Sequence, residues 1–236
     1  MKKLLSISVA SLALAAMAAY TPTTVGVTKI TTTNKSTIVP VAYKSLSTGE
    51  SIAVADLVKA ANLPSQTMLY VYNGSKYFAY QNGNGTWTGV ATASTIDGIN
   101  TPDQGTDSLT LAAGSAVWIV LASAPNPSQD IYVYGAYQTG VTSAAAGSGV
   151  STLVANPLQS NAVVSSISGL TKGDIILVPK GDTANPDRYV CSDATSPTWL
   201  KGRSASGLPT FAVGQGFWYV SATNSVGATI TWGSHE

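Results

Sequence analysis

The chain has 236 residues, a formal net charge of +1 and 10% charged residues against 44% hydrophobic ones. So even a balance offers no electrostatic footprint for nucleic acid, which is held by clustered Lys and Arg, and so sparse a charge leaves little repulsion between copies. A single cysteine, Cys191, excludes an intramolecular disulfide, and a single histidine, His235, gives no partner set for Ser-His-Asp or Cys-His catalysis.

Met1-Lys2-Lys3, the apolar run Leu4 to Ala16 and the triplet Ala16-Met17-Ala18 read as a secretory signal peptide, residues 1–18, cut before Ala19. The run is shorter than the about 20 apolar residues a membrane-spanning helix needs. No later segment is long and apolar enough either, so the expectation is a secreted, extracellular or cell-surface chain without a membrane-spanning segment. Loss of Lys2 and Lys3 leaves ten basic against eleven acidic residues, a mature charge of −1.

Residues 19–36 are rich in Thr and Lys and read as an N-terminal linker or an exchangeable strand, Val25 to Thr32. Two matching series of elements follow, over residues 37–138 and 151–236, joined by an Ala/Ser/Gly linker at 139–150. Thr37-Ile38-Val39 before Pro40 matches Thr152-Leu153-Val154 before Pro157. A short helix is predicted over Ser51 to Ala61, from Ile52, Ala55, Val58 and Ala61 at helical spacing. Its counterpart is Asn161 to Ser168, with Asn161 as N-cap and Gly169 after the end. Met68 to Tyr72 and Lys76 to Tyr80 form a hairpin around Asn73-Gly74-Ser75. Asp174 to Val178 and Asp187 to Cys191 repeat it around Lys180-Gly181-Asp182.

A tryptophan follows in each series, Trp87 and Trp199, and the first series carries an inserted loop, Val90 to Ser108. Then Leu111-Ala-Ala-Gly114-Ser-Ala-Val117-Trp118-Ile119-Val120 is echoed by Phe211-Ala-Val-Gly214-Gln-Gly216-Phe217-Trp218-Tyr219-Val220. The glycine suits a sharp turn, and the bulky run suits a strand covered on both faces. The last strands are Asp130 to Gly135 and Ala228 to Gly233. The fold class is therefore mainly β: two tandem homologous small β-sandwich or partly open barrel domains, each with one short helix.

No cofactor loop or His/Cys metal spacing occurs: Gly214-Gln-Gly216 precedes a strand, not a helix. Asp97, Asp103, Asp107, Asp182, Asp187 and Asp193 sit in loops or hairpins without the pairing a glycosidase needs or regular calcium-loop spacing. No catalytic residue, metal ligand or cofactor is assigned. Cys191, inside the strand Arg188 to Cys191, reads as a small buried hydrophobe. The candidate binding residues are aromatic: Trp87, Trp199, Tyr70, Tyr72, Tyr77 and Tyr80, which would stack on sugar rings if exposed. The competing reading puts Trp87, Trp118, Trp199 and Trp218 in the two cores.

Asn156-Pro157-Leu158, Trp199, Gly214-Gln215-Gly216-Phe217-Trp218 and Gly233 resemble a group of uncharacterised secreted bacterial tandem β-repeat proteins with a Gly-Gln-Gly-Phe-Trp signature. The first series fits more loosely, with Ser115-Ala116-Val117 in place of Gln-Gly-Phe. The resemblance implies secretion and a repeated β-domain and carries no activity. Together these features point to a non-catalytic structural or interaction protein of the cell surface or matrix. Its partners would be itself or other surface proteins, joined through strand edges; the alternative is a polysaccharide-binding module.

Overall fold

The computed structural model describes residues 25–49, 51–72, 77–90, 103–104, 109–138, 140–180 and 182–234. The predicted signal peptide, the Asn73-Gly74-Ser75 turn, Asp97, Asp107 and His235 lie outside them. Among the described residues no helix is long and apolar enough to cross a membrane.

The first half begins with β1 (Val25–Thr32), β2 (Ser36–Pro40), β3 (Tyr43–Lys44), β4 (Ile52–Ala53) and the single-turn α1 (Val54–Leu57). It continues through β5 (Met68–Tyr72), β6 (Tyr77–Gly83), β7 (Thr86–Gly89), β8 (Asp103–Gln104), β9 (Thr110–Leu111), β10 (Ala116–Val120) and β11 (Gln129–Tyr137). The second half opens with β12 (Ser143–Ala145), β13 (Ser151–Ala155), β14 (Ala162–Ser168), β15 (Ile175–Lys180) and β16 (Asp182–Asp193). It closes with β17 (Thr198–Lys201), β18 (Ser204–Ala205), β19 (Gly216–Val220) and β20 (Ala228–Ser234).

The chain is mainly β, and its sheets repeat one order. Among the described residues the first half holds a three-stranded sheet β1-β11-β3 and a larger sheet β2-β10-β5-β6-β7 with β8 on β6; the second half holds β12-β20-β14 and β13-β19-β15-β16-β17-β18, and the sheets do not resolve into two separate sandwiches or barrels. In both, the last strand lies at the centre of the small sheet, and the strand after the matched glycine lies second in the large one. Alternation then sorts the side chains. Val117 and Ile119 of β10 meet Ile131 and Val133 of β11 in one core, while Phe217 and Tyr219 of β19 meet Ile230 and Trp232 of β20 in another. Each such apolar side chain contributes about 1.5–3 kcal/mol when fully buried.

Three expectations are corrected. Residues 162–168 are strand β14, paired with β20 from Ala162↔Ser234 to Ser168↔Thr229. Val163, Val164 and Ile167 are β-branched and Ser165, Ser166 and Ser168 compete for backbone bonds, so helix propensity is low along the whole segment. In the first half the helix shrinks to Val54–Leu57 plus a 3-10 turn at Ala60–Asn62, with Ala53 as an N-cap that makes no side-chain bond. Both flanking stretches are claimed by sheets instead: Ile52 pairs with Leu111 and Val58 bridges Val133.

Val25–Thr32 is a strand, as one of its two readings had it, and pairs over its whole length with Gln129–Ala136 of the same chain. The third correction concerns the linker at 139–150, of which Ser143–Ala145 pairs with β20. Small residues are required there. Ser143 is buried and accepts the Trp232 Nε1–H at 3.1 Å.

The two matched glycines lie where the halves approach each other. Gly114 and Gly214 have φ of +95° and +75°. A Cβ at Gly114 would lie 2.0 Å from the Thr142 carbonyl oxygen, and one at Gly214 2.4 Å from Ile30 Cγ1 of β1. Gly214→Ala is therefore expected to cost about 2–5 kcal/mol, from backbone strain of about 1–2 kcal/mol plus overpacking of about 1–3 kcal/mol. Ile30→Ala in the same chain relieves only the overpacking, so urea unfolding of the single and double variants should show a favourable coupling. Strict additivity would remove the contact as the cause.

Candidate functional site

A third core joins the halves. Ile38, Trp118 and Ala116 from one large sheet pack on Leu153, Ala155 and Trp218 from the other. The expected second covering of β10 and β19 is thus supplied by the opposite half. Trp118 and Trp218 meet edge to face at 5.4 Å and 83°, rather than filling separate cores. Tyr70 tilts against Trp118 at 5.1 Å, and the Tyr77 hydroxyl donates across the seam to the Ser151 carbonyl at 2.7 Å. Both indole N–H groups, Trp118 Nε1 and Trp218 Nε1, are buried without an acceptor. Each such donor costs about 1–3 kcal/mol.

All six predicted aromatic residues are buried. Tyr70, Tyr72 and Tyr77 share the seam, as alternation along β5 and β6 requires. Tyr80 and Trp87 belong to the first core, where Trp87 Nε1–H donates to the Val58 carbonyl at 2.7 Å; Trp199 belongs to the second. As folded they form no common exposed platform. Two of them border cavities. Trp199 lines a hollow of about 340 Å³ with Leu170, Pro197 and Leu208. Tyr72 lines one of about 480 Å³ at the end of the seam.

This second cavity lies between Thr110–Ala112 of the first half and Ala144–Ala146 of the second, with Ser115, Ala116 and Thr152 on its walls. Its lining carries methyl and hydroxyl groups and no acid, amide or base. One signal that would have marked it was read otherwise: the Ala run at 144–146 as linker.

The signature residues are taken up by architecture. Gln215 Oε1 accepts the Ala212 N–H at 3.0 Å, closing the turn that Gly214 makes possible. A Cβ at Gly216 would lie 2.4 Å from the Val154 carbonyl and 2.8 Å from Ile38 across the seam. Phe217 packs at 5.0 Å on Phe211. Asn156, buried, donates to the Phe211 and Ala212 carbonyls and accepts the Leu158 N–H.

Three aspartates of the second half serve its structure. Asp174 is buried and accepts from Thr171 N, Ala222 N and the Tyr219 hydroxyl, at 2.7, 2.7 and 2.6 Å. Asp187 pairs with Lys201 at 2.7 Å, and Asp193 accepts the N–H groups of Thr195 and Ser196. No group of three His, Cys, Asp or Glu among the described residues could hold a metal. Cys191 is buried, as its strand position implied, and burial, aided by Asp174, pushes its thiol upward. It should resist a thiol reagent in the native chain and react at least about a hundredfold faster in denaturant. Comparable rates would place it at the surface.

Burial pushes the Tyr77 and Tyr219 phenols above the ordinary tyrosine value, and for Tyr219 the bond to Asp174 adds to the effect. A raised folded value means that the unfolded chain loses its proton first. The contribution of these two phenols is therefore complete below about pH 10 and falls above it. The urea midpoint should decline from about pH 10 towards pH 11, less steeply in Tyr77→Phe. An equal slope in that variant would exclude Tyr77 as a contributor.

No family model matches the chain, and neither the curated proteins nor the solved structures searched contain a match. The resemblance to secreted tandem β-repeat proteins rests on the quoted residues alone.

Proposed function

We propose that this chain is a secreted, non-catalytic structural or interaction protein of the cell surface or extracellular matrix. In this reading it is the duplication of one small β-sandwich-like unit, and it self-assembles through strand contacts with further copies or other surface proteins. The observation that carries the reading is its open strand edges. Among the described residues β1, eight residues long, and β14, seven, each end a sheet, and the outer side of β14 is bridged only at Ala162, to Phe211. Native edges are usually blunted by charge. Here the single charge on β1, Lys29, is neutralised by Asp130 at 2.8 Å, and β14 has none. The repeated strand order supports the duplication, and the structural use of Asn156, Gly214, Gln215, Gly216, Phe217 and Trp218 supports an inert scaffold. Because the six aromatics are buried, sugar stacking gains no support from them.

Light scattering on the chain from Ala19 should show mass rising with concentration above the monomer, with filaments or sheets in negative stain. A monomer at every concentration, with empty micrographs, would sink this reading.

A further inference from the structure

We propose that the cavity between β9 and β12 is a strand-accepting cleft, and that its occupant is the segment Ala19–Thr24 of a second copy of this chain. The proposal rests on the self-assembly reading and names the contact that carries it.

The cleft is bounded by strand edges rather than faces. Side chains alternate along a strand, so a cavity over one face meets every second residue. Here both residues of β9, Thr110 and Leu111, line it, as do the consecutive Ala144 and Ala145 of β12. Among the described residues β9 pairs only with β4, and β12 only with β20. Each therefore has one side without a ladder partner, the template on which an extended segment adds as a new strand. Alanine on both walls lets a backbone come close.

Both glycine turns are met by the other half: Ile30 of β1 lies on Gly214, and the Thr142 carbonyl and the Val141 side chain lie on Gly114. Beside the Gly114 contact, where β12 follows with Ser143, Ala144 and Ala145, small side chains leave a cavity of about 480 Å³.

The lining selects the occupant. With hydroxyls as its only side-chain polar groups, it offers no counter-charge to an ionised side chain, whose burial would go uncompensated. Nor does it offer a carboxylate or amide to grip a sugar diol. An uncharged extended peptide fits. Ala19-Tyr20-Thr21-Pro22-Thr23-Thr24 has no charged side chain and stands directly ahead of β1. Tyr and Thr favour strands, and six extended residues reach about 20 Å, a common strand length. Pro22 has no N–H, so the ladder runs through its neighbours. Segment and cleft are different surfaces of one molecule, so the contact is heterologous and propagates into an open chain of molecules.

The test uses complementary defects. Ala144 is exposed on the cleft wall, so Ala144→Arg blocks the cleft without entering a core. A second chain begins at Val25 and lacks the segment. By sedimentation velocity the chain from Ala19 should associate, and each altered chain alone should associate at least about tenfold more weakly. Their equimolar mixture should form a one-to-one dimer, because one supplies the segment and the other the cleft. Undiminished association of both altered chains would overturn the cleft while leaving self-assembly standing. A chain from Ala19 that is monomeric throughout overturns both. If, in addition, deletion of 19–24 speeds deuterium exchange at residues 110–112 and 144–146, the segment occupies its own cleft.

Discussion

Everything about the arrangement of this molecule depends on the contact between the two large sheets. A sheet with one solvated face alternates apolar and polar residues, whereas Ala116 to Val120 and Gly216 to Val220 are apolar throughout. The second face is buried by the other half, and small residues make that possible. Gly216, Ala155 and Ala116 let the sheets close until Ile38 and Leu153 interlock around the two indoles. The edge-to-face pair itself contributes about 0.5–1.5 kcal/mol. Two unpartnered indole N–H groups cost about 1–3 kcal/mol each. The ring pair therefore does not hold the seam. Apolar area does, at about 25 cal/mol per Å², and the tryptophans are kept for their bulk.

That balance explains how much of the fold was legible in the sequence. Element order, the hairpins and the matched last strands all followed from alternation and turn residues, which are local properties. So did the shared face of Tyr70 and Tyr72. Whether that face meets water is not local: it depends on Leu153 and Trp218, more than 80 residues away in sequence. The aromatic residues looked available because nothing nearby in the sequence covers them. The segment 162–168 failed for a related reason. Asn161 and Gly169 are equally at home bounding a helix or a strand, and only pairing with β20 decides between them.

Low-complexity sequence misled in the opposite direction. Ala, Ser and Gly between 139 and 150 suggest a flexible connector, yet Ser143 and Ala145 are buried beside Trp232 and Ala228. Small size is what the site demands. A larger residue at 143 would displace the indole that donates to its hydroxyl. The N-terminal Thr-rich stretch behaves similarly, since Thr28 and Thr32 are buried and Thr28 bonds both Tyr43 and Gln159 of the opposite half. Segments that look like connectors thus supply one edge strand to each small sheet.

The two halves differ most where they serve each other. β1 brings Ile30 to the second half's glycine turn; the first half's turn is met by Val141 and the Thr142 carbonyl, with a cavity beside it walled by Ala144–Ala146. A fold that only had to be stable would gain from filling that cavity, since a gap forfeits dispersion contacts along its whole lining. The second half's turn is also the one that matches the signature closely, with Gln215 capping Ala212, whereas the first half's carries Ser115 and Ala116. The looser match and the cavity coincide in one place. Packing alone gives no reason for that coincidence, and a strand arriving from outside the fold supplies one.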